Sequence, residues 1–185
     1  MTDIETSKFG FNIPKKEDLE YYALWVVGKI SSYIQPKICK FSAYEINEVC
    51  TGVYISDFSS ACNIDELKKS GITHIVTAIV GVSEMYPQEF KYYMVDVCDR
   101  SYSQINKYFD ECSDFMDDAV NKNGKVLVHC KCGVSRSTTL IAAYLIKKKN
   151  YSADGAIEAI KKSRNCIQAN DGFIQQLKNY EELCR

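Results

Sequence analysis

The sequence is poor in the residues that build metal sites and sharp turns: 2 histidines, 3 prolines and 1 tryptophan among 185 residues. It has no apolar run of about 18 residues, the length that spans a bilayer, so we predict no membrane insertion. Its charge is nearly balanced, with 23 Lys and Arg against 24 Asp and Glu. A general nucleic-acid binder carries a basic excess, and we therefore expect no nucleic-acid partner.

The first ten residues lack the basic and then apolar order of a signal peptide. Nine cysteines are scattered along the chain, and an odd number argues against a disulfide scaffold. We therefore expect a reducing compartment, the cytoplasm, with the nucleus as the alternative. Cys130 and Cys132 form a C-x-C pair, whereas zinc sites use wider spacings and further ligands, so no structural metal is predicted.

Short β-branched runs alternate with segments of helical periodicity. We predict strands at residues 45–49, 53–55, 72–79, 91–97 and 126–128. We predict helices at residues 17–36, 63–70, 103–123 and 153–163, with another ending at residue 149 and a last one after Asn170. The alternation indicates one α/β domain with a central, mostly parallel, twisted sheet flanked by helices, plus an N-terminal helix.

We divide the chain into a mobile segment 1–16, an N-terminal helix 17–36 and a main domain 37–185. The helix carries an apolar stripe at three- and four-residue steps. The stripe consists of Leu19, Tyr22, Ala23, Val26, Val27, Ile30 and Ile34. We predict that this face covers the core of the main domain, and the alternative is that it forms a homodimer contact.

The segment from Lys125 to Leu145 is predicted to run from a buried strand through a tight loop into a helix. Inward backbone amides and a helix N-terminus make such a loop an anion site that also favours a thiolate. Cys130 opens the loop as the candidate nucleophile, and the fork of Arg136 can hold two phosphate oxygens. The candidate phosphate-binding residues are Lys131, Cys132, Gly133, Val134, Ser135 and Arg136.

Attack of a thiolate on a phosphate ester gives a phosphocysteine, and the leaving oxygen needs a proton. The candidate acids are Asp96, Asp99 and Asp110. We favour Asp99, because it follows a strand and precedes a helix, whereas Asp96 is predicted inside the strand and Asp110 on an exposed helix face. Ser137 can donate a hydrogen bond to the thiolate, and His129 is predicted to support the loop.

The pattern His129-Cys130-x-x-Gly133-x-x-Arg136-Ser137 resembles the signature of the cysteine-dependent protein tyrosine phosphatases. HCKCGVSRS, followed by AYLI at 143–146, is similar to the dual-specificity, VH1-like branch, and the resemblance covers about residues 45–184. It implies that Cys130, Arg136, Asp99 and Ser137 carry the reaction and that no metal or other cofactor is used. The main domain would then be the dual-specificity catalytic domain.

The sequence departs from the family at two places. Ala169 stands where proline is common, and Cys132 stands where alanine is common. We expect Cys132 to be a small packed residue with its side chain away from the phosphate. The alternative is a redox partner for Cys130.

The resemblance also bears on the substrate. Tyrosine-specific relatives are longer, and a compact domain implies a shallower pocket that admits phosphoserine and phosphothreonine as well as phosphotyrosine. Phosphorylated proteins are therefore the expected partners. Phosphoinositide phosphatases tend to carry two basic residues in the loop, and here Lys131 is present but Val134 takes the second place. A phosphoinositide or RNA 5′-triphosphate phosphatase and a non-catalytic phospho-binding module are the alternatives.

Overall fold

The computed structural model describes residues 19–38 and 44–185, so the predicted mobile segment 1–16 lies outside the described residues. The strands are Ile46–Cys50 (β1), Val53–Ser56 (β2), His74–Thr77 (β3), Lys91–Met94 (β4) and Val126–His129 (β5). The α-helices are Leu19–Ile38 (α1), Phe58–Ala61 (α2), Ile64–Lys69 (α3), Phe109–Asn121 (α4), Arg136–Lys149 (α5), Ala153–Ser163 (α6) and Asp171–Cys184 (α7). No helix within these ranges is long and apolar enough to cross a bilayer.

The strands form one sheet in the order β1-β2-β5-β3-β4. β1 runs antiparallel to β2, and every other neighbouring pair is parallel. The predicted α/β domain with a mostly parallel sheet is confirmed. Helical crossovers between parallel strands place helices on both faces, which is why the central strand β5 is buried throughout.

The side chains of β5 alternate between two apolar layers. Val126 and Val128 belong to the larger one, which packs against α4, α5, α6 and α7. Leu127 faces the smaller one on the other side of the sheet, with Leu67 of α3 and Ile75 of β3. α5 lies inside the larger layer, and its residues from Arg136 to Ile146 are all buried. The start of α5, which the sequence predicts to bind phosphate, is therefore rigidly placed.

The parallel strands end together at one edge of the sheet. Ser56 at the end of β2 and Thr77 at the end of β3 both pair with His129 at the end of β5. Thr77 also pairs with Met94 at the end of β4. The loops that follow these four strands therefore meet over one edge, which is where parallel α/β sheets place their ligand sites.

Several boundaries differ from the prediction. The expected helix at 103–123 begins only at Phe109, after a short 3-10 turn at Asn106–Tyr108. The loop before it is held by α7, because Gln176 Nε2 donates to the carbonyl of Ser103 at 2.9 Å. β4 ends at Met94, so Asp96 lies beyond the strand rather than inside it. The predicted caps are confirmed, since the side chains of Ser152 and Asn170 accept hydrogen bonds from backbone amides in the first turns of α6 and α7.

The N-terminal helix is present, but the prediction that its apolar stripe packs on the main domain is wrong. Tyr22, Val27, Ile30 and Ile34 of the apolar stripe are exposed. The helix instead lies on the main domain through its other side, with Gly28 buried against the turn at Val80. α1 also runs to Ile38, two residues past the predicted end at residue 36.

Candidate active site

The loop between β5 and α5 is anchored through its backbone carbonyls. The amide of Phe58 donates to the carbonyl of Lys131 at 3.2 Å, and the amide of Gln168 donates to that of Val134 at 2.9 Å. Arg164 Nε donates to the carbonyl of Gly133 at 3.0 Å. With these carbonyls turned outward, the amides of Val134 and Ser137 are directed to the sulfur of Cys130. The loop therefore has the inward amides of an anion site.

Gly133 is required by the path of this loop. Its φ is +66°, and a Cβ at this position would lie 2.5 Å from the carbonyl oxygen of Ser56. Any other residue would face both backbone strain and a steric clash. The glycine lets the loop bend tightly against the end of β2, so that the phosphate site stays at the edge of the sheet.

Cys130 is buried at the base of the loop, with 1% of its surface exposed. Burial by itself raises the pKa of its thiol, but the charge of Arg136 and hydrogen bonds from Ser137 and Val134 outweigh burial. The pKa is therefore held below its ordinary value. Ser137 Oγ lies 3.4 Å from Cys130 Sγ, in position to donate to the thiolate. The sulfur is thus arranged as a nucleophile.

Arg136 is the first residue of α5, and its guanidinium lies beside the loop. Its Nη1 donates to the carbonyl of Val97 at 3.4 Å. Its Nε has no hydrogen-bond partner and lies 3.6 Å from Oδ2 of Asp99. A buried guanidinium with an unused donor, next to a ring of amides, is equipped to take a phosphate oxygen.

Asp99 is the carboxylate that the fold brings to this site. Its Oδ1 accepts from Ser135 Oγ at 2.7 Å and from Asn170 Nδ2 at 2.8 Å. The two other candidate acids have structural partners elsewhere. Asp96 accepts from the amide of Gly81 at 3.0 Å, and Asp110 accepts from the hydroxyl of Tyr180 and pairs with a lysine.

His129 ties the loop to the neighbouring strand. Its Nε2 lies 2.9 Å from Thr77 Oγ1, and its ring stacks on Phe58 with centroids 5.9 Å apart. Burial lowers the pKa of His129 to about 4, so the ring is neutral at neutral pH. A neutral, fully buried ring fits a supporting role in the loop rather than proton transfer.

The remaining loop side chains differ in how far they are exposed. Lys131 and Cys132 are exposed, Val134 is half-buried and Ser135 is buried. The expectation that Cys132 would be a packed residue is wrong. Cys130 and Cys132 are both free thiols. No group of three or more metal-binding side chains occurs among the residues that the structure describes.

A cavity of about 190 Å³ opens over the loop. Asp99, Lys131 and Arg136 lie at its polar end. Its remaining walls are mainly apolar and come from three segments. The apolar wall residues are Leu24 and Val27 of α1, Phe58 of α2, and Ile79, Val80 and Val82 of the loop after β3.

Sequence reasoning missed three contributors to this site. Asn170 was identified only as a helix cap, and Arg164 not at all, although it is buried and holds the loop. α1 was not expected to border the site. The contact of Arg164 with Gly133 spans 31 positions, and that of Asn170 with Asp99 spans 71. No local sequence pattern could therefore have indicated these two residues.

Comparisons with known proteins agree with the geometry. The family model described as dual specificity phosphatase, catalytic domain, matches residues 53–183. Dual specificity protein phosphatase 1B of Arabidopsis thaliana is 41% identical over 138 residues, which cover 75% of this chain and 83% of that protein. Dual specificity protein phosphatase 1 of the same plant is 39% identical over 131 residues, which cover 71% of this chain and 66% of that protein.

Solved structures show the same relationship. The crystal structure of human tyrosine phosphatase-like serine/threonine/tyrosine-interacting protein superposes with a TM-score of 0.71 at 30% identity. The match covers 76% of this chain and 98% of that chain. Residues 53–183, which the family model matches, contain the four loops that meet at the edge of the sheet. The chain therefore belongs to the dual specificity phosphatase family, and it is a protein phosphatase of that class.

Proposed function

We propose that the protein hydrolyses phosphotyrosine and phosphoserine/phosphothreonine in protein substrates through a phosphocysteine intermediate on Cys130. The observation that carries the proposal is the position of Cys130, whose buried sulfur lies 3.4 Å from Ser137 Oγ at the base of a loop of inward amides. Arg136 and Asp99 flank the same space. Together they supply a nucleophile, an oxyanion site and a proton donor, which the two-step reaction requires.

In the first step the thiolate of Cys130 attacks phosphorus, and the bond from phosphorus to the ester oxygen breaks. The leaving oxygen takes a proton from the carboxylic acid of Asp99. The guanidinium of Arg136 and the loop amides bind the equatorial oxygens, whose charge spreads in the transition state. Proton donation matters most for serine and threonine esters, because an alkoxide is a poorer leaving group than a phenolate.

In the second step water attacks the phosphocysteine, and the sulfur leaves as a thiolate. Asp99, now ionised, accepts the proton of the water. Ser137 Oγ, 3.4 Å from Cys130 Sγ, donates to the developing thiolate. The cycle releases inorganic phosphate and restores the starting protonation states. It needs no redox partner or metal ion, because acid, nucleophile and water supply every proton and electron pair.

The proposal is tested with a substrate panel. Initial rates are measured for phosphotyrosine, phosphoserine and phosphothreonine peptides, a phosphoinositide and 5′-triphosphate RNA, under reducing conditions. Cys130→Ser is the control for contaminating phosphatases. Turnover of the peptides alone supports the proposal. Turnover of only the lipid or the RNA, or no turnover beyond that of Cys130→Ser, would reject it.

Two further expectations accompany this function. We place the protein in the cytoplasm, with the nucleus as the alternative, because a thiolate nucleophile has to stay reduced. The exposed stripe of α1, including Ile30 and Ile34, supports the homodimer alternative for this helix. Imaging of the full-length tagged protein tests the location. Light scattering at high concentration tests the dimer, and a monomer mass would reject it.

A further inference from the structure

Helix α1 is attached to the main domain next to the phosphate site. Lys29 Nζ donates to Ser83 Oγ at 2.8 Å, and the amide of Ser83 donates to Ser32 Oγ at 3.0 Å. Near the start of the helix, the hydroxyl of Tyr21 donates to Asp96. Polar contacts near the start of α1 and just past its middle therefore fix where the helix lies along the loop after β3 and the segment before Asp99.

Between these contacts the two backbones touch. A Cβ on Gly28 would lie 2.2 Å from the carbonyl oxygen of Val80, and one on Gly81 would lie 2.3 Å from that of Trp25. Two glycines facing each other thus permit the approach. No side chain fits between helix and loop at these two positions, so the backbone of α1 and the backbone of the loop are in direct contact.

This approach carries side chains of α1 into the cavity over the phosphate loop. Leu24, Val27 and Ser31 form one wall, and Phe58 and Val82 belong to the rest of the apolar lining. Asp99 and Arg136 lie at the polar end. The compact domain was predicted to have a shallow pocket, and α1 adds a wall to it.

We propose that α1 is a specificity element that makes the protein favour phosphotyrosine over phosphoserine and phosphothreonine. This inference rests on the proposed function. With the phosphate held by the loop, the next atoms of the substrate must lie between the apolar walls. A phosphotyrosine places an aromatic ring there, whereas phosphoserine and phosphothreonine place one carbon and then polar backbone. Apolar walls stabilise the ring and offer the backbone no hydrogen bonds.

The first test removes the apolar wall without moving the helix. The variant Leu24→Ser/Val27→Ser is compared with Ile30→Ser/Ile34→Ser, which replaces two aliphatic residues of the same helix by serine at exposed positions outside the cavity. kcat/KM is measured on one peptide sequence carrying phosphotyrosine or phosphothreonine. We expect about a tenfold loss for phosphotyrosine in the wall variant, the effect of losing an apolar pocket contact. The phosphothreonine value should change less than twofold, and the control should match wild type on both peptides.

The second test moves the helix without substituting Leu24 or Val27. In Gly28→Val the new side chain cannot fit against Val80, so α1 must shift away. Ala23→Val adds the same side chain on an exposed part of the helix and is the matched control. The same selective loss for phosphotyrosine is expected in Gly28→Val and not in Ala23→Val. The melting temperature of each variant shows whether the main domain stays folded.

The outcomes separate this inference from the proposed function. If the wild-type protein hydrolyses neither peptide, the phosphatase mechanism itself is rejected. If the wild type hydrolyses the peptides but the α1 variants lose equal activity on both, or lose none, the role of α1 is rejected and the mechanism stays intact. A preference for phosphothreonine in the wild type would also reject it.

Discussion

Asn170 connects the start of α7 to the carboxylate of Asp99. Its side-chain amide donates to Asp99 Oδ1 at 2.8 Å, while its own Oδ1 accepts from the amide of Phe173 at 3.0 Å. Ser135 Oγ also donates to Asp99 Oδ1 at 2.7 Å. Since Oδ1 is occupied by two donors, Oδ2 is the oxygen left to carry the transferred proton. One residue therefore caps a helix and orients the candidate acid.

Asn170→Ser separates these two roles. Serine still caps α7, so the melting temperature should change little, but its side chain is too short to reach Asp99. We expect kcat to fall about tenfold on an alkyl phosphate and less on an aryl phosphate, because only the poor leaving group needs the oriented acid. Asn170→Ala is the comparison, which loses the cap as well and about 1 kcal/mol of stability. Equal losses on the two phosphates would contradict the orienting role.

Asp99→Ala should slow the first step by about 10²- to 10⁴-fold on alkyl phosphates, the usual contribution of general acid catalysis. Aryl phosphates should lose less. Asp96→Ala and Asp110→Ala are the controls for the two rejected candidates. A larger leaving-group effect in either control would move the assignment away from Asp99.

The lowered pKa of Cys130 predicts when the thiolate is present. The fraction of thiolate falls as pH drops through that pKa, so the acid limb of kcat/KM should lie below the ordinary thiol value of about 8.5. Ser137→Ala removes one cause of the shift, so the pKa should rise. The measurement is the pH dependence of Cys130 alkylation by iodoacetamide, followed by mass spectrometry of its peptide. An unchanged midpoint in Ser137→Ala would show that this hydroxyl does not stabilise the thiolate.

Cys130→Ser should abolish turnover and keep phosphate binding. A serine hydroxyl stays protonated at neutral pH and attacks phosphorus poorly, while the amides of the loop and Arg136 are unchanged. Calorimetry with a phosphotyrosine peptide should therefore still show binding, and the assay should show no phosphate release. Residual turnover above the buffer rate would mean that another group acts as the nucleophile.

Arg164 supports the loop from a buried position. Its guanidinium also donates to Asn47 Oδ1 at 2.8 Å and pairs with Glu45. Arg164→Met leaves the carbonyl of Gly133 without its donor, so we expect a loss of about 1 to 3 kcal/mol in the free energy of unfolding. Urea denaturation measures it, and Lys162→Met, two residues earlier and exposed, is the control. Similar losses in both variants would refute a specific role for Arg164.

The sequence by itself determined the features that depend on neighbouring residues. The run from Lys125 to Leu145 contains the strand, the loop and the helix in one continuous segment, so spacing alone made Cys130 and Arg136 the candidate nucleophile and the candidate phosphate-binding residue. The caps of α6 and α7 also act within three residues of their own position. Each of these features rests on backbone geometry that a few adjacent side chains control.

Only the tertiary structure decided which distant residues meet at the site. The contact of Asn170 with Asp99 spans 71 positions and that of Arg164 with Gly133 spans 31, and both depend on how α6 and α7 pack on the sheet. The packed face of α1 was likewise decided by shape rather than hydrophobicity. Gly28 fits against the turn at Val80 and leaves Tyr22, Ile30 and Ile34 of the apolar stripe exposed. Periodicity shows where a helix is apolar, but backbone contact at a glycine decided which side of α1 is buried.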